Sequence, residues 1–149
     1  FCRKTKIHFL DILDMMGVAA PMAAGFIRLA NLMNSEIIGI PSDVPWAFIF
    51  ERVDMQPRHP AQLYEALAYF LFFLIMMVFR KKKENVRKGF YFGLCITLIF
   101  TFRFFVEFLK ERQVDFENAL PIDMGQILSI PFIVVGLYFV FRKNHSAHV

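Results

Sequence analysis

The chain has 149 residues, 57% of them hydrophobic and 20 of them phenylalanine. An ordinary soluble domain of this length does not need so much apolar surface, so the composition points to a membrane protein. The net charge is +4. Its basic residues sit in clusters between apolar runs and the phenylalanines read as lipid-facing and packing residues, which argues against nucleic acid as a partner.

The chain opens at Phe1 without a methionine or a secretory signal pattern, and we read it as the later part of a longer protein. Its two cysteines, Cys2 and Cys95, make no disulfide framework, and Cys95 reads as a small core residue in an apolar run. A membrane span needs about 20 mostly apolar residues, and four stretches qualify. The first covers about 10–33 and is the weakest, interrupted by Asp11, Asp14, Gly17 and Pro21. A long segment, 34–60, follows; with Pro41, Pro45, Pro57 and the sole tryptophan, Trp46, it is expected to lie on the outer membrane surface. The second span covers about 61–79 with Glu65 as its only charge, and Pro60 suits the start of that helix. The third covers about 89–109, opened by Gly89 after a charged turn. After a loop over 110–124, the fourth covers about 125–141, with Asp123 and Gln126 at capping-box spacing. The expected fold is therefore all-α, a polytopic helix bundle forming one integral membrane domain over 1–149.

Orientation follows from the basic residues. Arg3, Lys4 and Lys6, the run Arg80–Lys83 with Arg87 and Lys88, and Arg142 with Lys143 lie on one side of the bundle. The opposite loops carry only Arg52, Arg58, Lys110 and Arg112. Both ends of the chain are thus expected in the cytoplasm.

Two arginines fall inside apolar spans, where a charge costs roughly 2.5–3.5 kcal/mol on insertion scales and usually marks a functional site. Counting helical rise, Arg28 lies about 27 Å and Arg103 about 21 Å from the cytoplasmic end. Glu65, Gln126 and the series Asn31, Asn34 and Glu36 reach similar depth. Arg103 and Glu107 share a helical face. They form either a buried lock or an arginine fixed for bidentate contact with a phosphate. Arg28 either joins such an anion site or snorkels to the nearby interface, and Asn31 and Asn34 either belong to that site or serve only as interhelical glue. Gln62 and Glu65 read either as helix-start chemistry or as groups that hydrogen-bond a headgroup or orient Arg103. His59 is a candidate base with no visible partner. His145 and His148 have the spacing of a metal pair but no third ligand, so no metal site is expected.

The segment Arg28-Leu29-Ala30-Asn31-Leu32-Met33-Asn34-Ser35-Glu36-Ile37-Ile38-Gly39 resembles the signature of the bacterial prolipoprotein diacylglyceryl transferases, roughly G-R-x-x-N-F-x-N-x-E-x-x-G. Three further stretches match in order: Arg58-His59-Pro60 with Gln62-Leu63-Tyr64-Glu65, Phe102-Arg103 with Val106-Glu107-Phe108, and Met124-Gly125-Gln126-Ile127-Leu128-Ser129-Ile130-Pro131. Ile27 replaces the usual glycine, Leu32 the phenylalanine, and Ile99 a tyrosine often found one turn before the second arginine. The family's His-Gly-Gly motif, with its catalytic histidine, would lie upstream of Phe1. The resemblance implies transfer of the diacylglyceryl group of phosphatidylglycerol to the lipobox cysteine of a preprolipoprotein at the bacterial inner membrane, with no cofactor. Arg28 and Arg103 would hold the phosphate and act in catalysis. Asn31, Asn34, Glu36 and Gly39 would shape the site, Glu107 would position Arg103, and Gln62, Tyr64, Glu65 and Gln126 would support the cavity. The rival expectations are a membrane protein that binds or transports an anion or lipid without chemistry, and a purely structural bundle.

Overall fold

The computed structural model describes residues 7–82, 86–111 and 123–142. Four helices are long and apolar enough to cross a membrane. They are α1 (Phe9–Asn34), α2 (Ala61–Lys82), α3 (Phe90–Val106), which continues through a 3-10 turn at Glu107–Leu109, and α4 (Met124–Phe141). The chain is thus a polytopic helix bundle. Large apolar side chains on outward faces, such as Leu67, Leu71 and Leu74 on α2 and Val134 and Phe141 on α4, are exposed, as lipid-facing helices require. Of the loop 110–124, residues 112–122 lie outside the described residues, as do Cys2, His145 and His148.

The four residues that interrupt the first span do not break α1. Three of them have a place in its contact with α3. The Asp14 carboxylate accepts from the backbone N–H of Gly89 (2.6 Å) and of Phe92 (2.9 Å), capping α3 from outside; such a cap is worth about 0.5–2 kcal/mol. Asp11 pairs with Lys88 at 2.9 Å. A side chain at Gly17 would stand 2.8 Å from Phe92 Cα, so glycine lets the two helices touch backbone to backbone. Pro21 is buried within the helix.

Small residues also set the α3–α4 contact. A Cβ on Gly93 would stand 2.8 Å from the Gly136 carbonyl oxygen, the close approach by which membrane helices gain packing without a hydrophobic driving force. Phe100 and Phe132 stack across the same interface, ring centres 4.4 Å apart. At the start of α4, Asp123 and Gln126 form the expected capping box.

The segment joining α1 to α2 folds back onto the end of the bundle. Ser35 leaves α1 in the left-handed conformation (φ 59°), its N–H bonded to the Asn31 and Leu32 carbonyls. Strands β1 (Phe48–Ile49) and β2 (Pro57–Arg58) pair antiparallel, and residues 38–41 run between β2 and the chain that follows the 3-10 turn. Gly39 N–H donates to the His59 carbonyl (3.1 Å), Ile40 N–H to Leu109 (3.0 Å) and Glu111 N–H to Ile38 (3.1 Å). Arg58, read from the sequence as a loop charge, is buried beneath this crossing. Its guanidinium binds Asp54 (Nη2 to Oδ2, 2.5 Å), Glu111 (3.0 Å) and the Gly39 carbonyl (3.2 Å). The Asp54 hydrogen bond raises the Arg58 pKa further, and the same bond lowers that of Asp54.

Candidate functional site

The buried charges converge where α1, α2, the 3-10 turn and the start of α4 meet. Arg28 Nε lies 3.1 Å from Glu65 Oε2, with the two side chains 12% and 0% exposed. The N–H is not aimed along that line, so Oε2 gains an ion pair without a hydrogen bond. Glu65 Oε1 accepts from Tyr69 Oη (3.1 Å) and from Lys110 Nζ (3.3 Å). Lys110 Nζ also reaches Glu107 Oε2 at 3.1 Å. Arg28, Glu65, Lys110 and Glu107 therefore form one alternating chain of charges.

A neutral branch starts from the same arginine. The Asn31 amide is oriented so that its oxygen accepts from Arg28 Nη1 (3.3 Å) and its nitrogen donates to Glu36 Oε2 (3.3 Å). Gln62 Nε2 donates to the Glu36 carbonyl (2.6 Å), tying the end of α1 to the start of α2. The signature residues Arg28, Asn31 and Glu36 are thus one hydrogen-bonded unit, although Ser35 ends the helix before Glu36 can join its face.

Several expected contacts are corrected here. Glu107 does not pair with Arg103. Its carboxylate turns to Lys110 and lies against Gly125 at the start of α4. The cause is the 3-10 turn, which stacks side chains three apart and so aligns Glu107 with Lys110. Neither Gln62 nor Glu65 orients Arg103; Glu65 holds Arg28, whose head group is anchored there instead of snorkelling. Gly39 acts through the absence of a side chain, because a Cβ would collide with the His59 carbonyl and stand 2.8 Å from that of Leu109. Gln126 is 2% exposed. Its oxygen accepts from Asp123 N–H and its nitrogen donates to the Phe104 carbonyl (both 3.3 Å), fastening α4 to α3. Asn34 is exposed at the end of α1, and among the described residues no side-chain hydrogen bond brings it into the cluster. His59, for which the sequence showed no partner, has one: its Nδ1 lies 3.1 Å from Tyr64 Oη, which accepts from Trp46 Nε1 at 2.7 Å. Tyr64 therefore braces the connecting segment.

Sequence reasoning missed Lys110, counted as a loop charge but 7% exposed. Its signal was the i, i+3 spacing from Glu107 at the end of an apolar run. Arg103 remains apart. Its Nε is buried, and no group among the described residues accepts from it. On the face of α3 that carries Cys95, Ile99 and Arg103, an apolar groove of about 460 Å³ opens against α1, walled there by Gly17, Ala20 and Ala23.

The chain is similar to known proteins over nearly its whole length. A profile described as prolipoprotein diacylglyceryl transferase matches residues 1–142. A phosphatidylglycerol–prolipoprotein diacylglyceryl transferase of Bacteroides fragilis is 66% identical over 142 residues, covering 95% of this chain and 51% of the relative. Proteins of the same name from Chloroherpeton thalassium and Tolumonas auensis are 47% and 46% identical, covering 93% and 87% of this chain and 52% and 50% of theirs. The chain spans about half the length of the curated relatives it matches. With a family profile over nearly its whole length and relatives this similar, the chain belongs to the prolipoprotein diacylglyceryl transferase family.

Proposed function

We propose that the protein transfers the diacylglyceryl group of phosphatidylglycerol to the lipobox cysteine of a preprolipoprotein, the first step of bacterial lipoprotein maturation. The names of the relatives support this reading. The observation that carries it to particular residues is the buried Nε of Arg103, which has no acceptor among the described residues; such an orphan donor typically costs about 1–3 kcal/mol. A phosphate oxygen would satisfy it.

In the reaction the cysteine thiolate attacks the glycerol carbon that bears the phosphate. The carbon–oxygen bond breaks, a thioether forms and glycerol phosphate departs with the electron pair. Charge therefore grows on the phosphate as the bond breaks. Arg103 and Arg28 would meet that charge with fixed cations in a water-poor setting, where such stabilisation is strongest. Glu65 and Asn31 hold the Arg28 guanidinium in place. The apolar groove between α1 and α3, lined on α3 by Phe92, Cys95, Ile96, Ile99 and Phe100, would seat an acyl chain of the lipid. The thiol proton must pass to a base; the resemblance puts that role on the histidine of the His-Gly-Gly motif, upstream of this chain. In this reading the domain is a single membrane unit of the bacterial inner membrane, its termini cytoplasmic and the segments 34–60 and 110–124 outside.

The test is a transfer assay in liposomes with labelled phosphatidylglycerol and a lipobox peptide. It compares this chain alone with the chain joined to an upstream half containing the His-Gly-Gly motif. Transfer by the joined protein, lost in Arg28→Ala and in Arg103→Ala without loss of membrane insertion, supports the proposal. Full activity in both variants would refute the assigned roles. No transfer by either protein, with anion uptake into vesicles, would move the reading to transport.

A further inference from the structure

We propose that Lys110 is a positioning residue that keeps Arg103 available to a phosphate by withholding Glu107 from it. This rests on the reading above, in which Arg103 meets the phosphate.

Arg103 and Glu107 stand four apart at the end of one helix, the spacing at which a guanidinium and a carboxylate normally meet. In a low-dielectric site the attraction between them would be strong, and the arginine would be neutralised before any ligand arrived. The structure shows the opposite arrangement. The Glu107 carboxylate lies 3.1 Å from Lys110 Nζ, while Arg103 Nε is buried and has no partner among the described residues.

Three features hold it so. The helix tightens to a 3-10 turn at Glu107, which brings Glu107 and Lys110 onto one line. The backbone around Lys110 is pinned on both sides, by Ile40 N–H to the Leu109 carbonyl and Glu111 N–H to the Ile38 carbonyl. Finally, α4 carries no side chain at Gly125, and the Glu107 carboxylate occupies the space a Cβ would fill. Lys110, its side chain 5% exposed, also binds Glu65, so its charge is matched by two carboxylates and has no need of other partners. Without Lys110, the nearest cation in reach of Glu107 along its own helix is Arg103.

Binding of glycerol phosphate to the complete protein in detergent, measured by calorimetry, tests this. Lys110→Met should weaken binding about tenfold or more, the scale of one lost charge-assisted hydrogen bond, although Lys110 itself need not touch the anion. Lys110→Arg should bind as wild type does. Adding Glu107→Gln to Lys110→Met should restore binding toward wild type, because a neutral amide cannot neutralise Arg103. Gly125→Ala gives an independent arm with Lys110 intact: its methyl evicts the Glu107 carboxylate from its seat and should also weaken binding. The proposal is overturned by wild-type binding in Lys110→Met, by a Lys110→Arg variant as weak as Lys110→Met, or by a double variant no better than the single. Should Lys110→Met fail to fold, wild-type binding by folded Gly125→Ala overturns it equally. Equal binding by wild type and Arg103→Ala would instead bring down the phosphate reading beneath it.

Discussion

Glu65 is the anion shared by two buried cations, and removing it should damage the fold more than removing any other single charge of the cluster. Its side chain is fully buried and touches Arg28 (3.1 Å), Lys110 (3.3 Å) and Tyr69 Oη (3.1 Å). In Glu65→Ala, Arg28 loses its ion-pair partner, Lys110 keeps only Glu107, and the Tyr69 hydroxyl loses its acceptor. Breaking a buried pair by deleting one partner costs about 3–5 kcal/mol, because the remaining charge is stranded. At about 2–4 °C per kcal/mol for a domain of this size, the melting temperature in detergent should fall by about 6–20 °C. Glu65→Gln keeps the volume and an acceptor for Tyr69 but not the charge, so it should fall nearly as far as Glu65→Ala. If stranded charge is the cause, the loss should persist in Gln. A Glu65→Gln variant melting within about 2 °C of wild type, set against the 2–4 °C expected per kcal/mol, would show that shape and hydrogen bonding hold this site and that the ionic chain contributes little.

Gly39→Ala should destabilise the crossing of residues 38–41 with β2, because the methyl would meet the carbonyls of His59 and Leu109 and the His59 Cβ, none of which can turn aside. Overpacking of this kind typically costs about 1–3 kcal/mol. The Gly39 and Ile40 amides should exchange hydrogen faster than in wild type, and unchanged exchange would refute the packing argument. The clasp between Asp54 and Arg58 should loosen in acid. The hydrogen bond from Arg58 holds the Asp54 carboxyl below its ordinary value of 3.8. Its stabilising effect is therefore complete above that value and is lost as pH falls through the lower folded value. Exchange at Ser42 and His59, whose amides bond Pro57 and Ile40, should accelerate below about pH 3.8 relative to Asp54→Asn, which lacks the titrating group. Identical acid profiles for the two proteins would refute it.

The spans were legible because a membrane helix carries its own signature in apolar length, and so was the capping box at Asp123 and Gln126, where both partners lie within one turn. Even the weakness of the first span was informative. Asp11 and Asp14 look like flaws in an apolar run only while α1 is considered alone; beside α3 they become an ion pair and a helix cap. Within the site, the motifs marked Arg28, Asn31 and Glu36 as a group, and local geometry joins them. What one-dimensional reasoning could not supply was the pairing of charges. The Arg28–Glu65 and Glu65–Lys110 contacts join residues far apart in the chain, so no spacing rule reaches them. The one local rule that did apply, the i, i+4 spacing of Arg103 and Glu107, pointed to a pair that does not form, because the helix changes pitch at Glu107. Lys110 and Arg58 were misread for a related reason: assigning a charge to a loop treats that loop as solvated, whereas here the connecting segment folds over both residues and buries them. The two glycines of the site complete the same logic. Gly39 admits the backbone that pins the segment around Lys110, and Gly125 leaves the seat that Glu107 occupies. A glycine offers no chemistry to a motif search. In this site two of them set where the chain crosses and where the Glu107 carboxylate sits, and on our proposal that arrangement keeps the Arg103 donor for an anion.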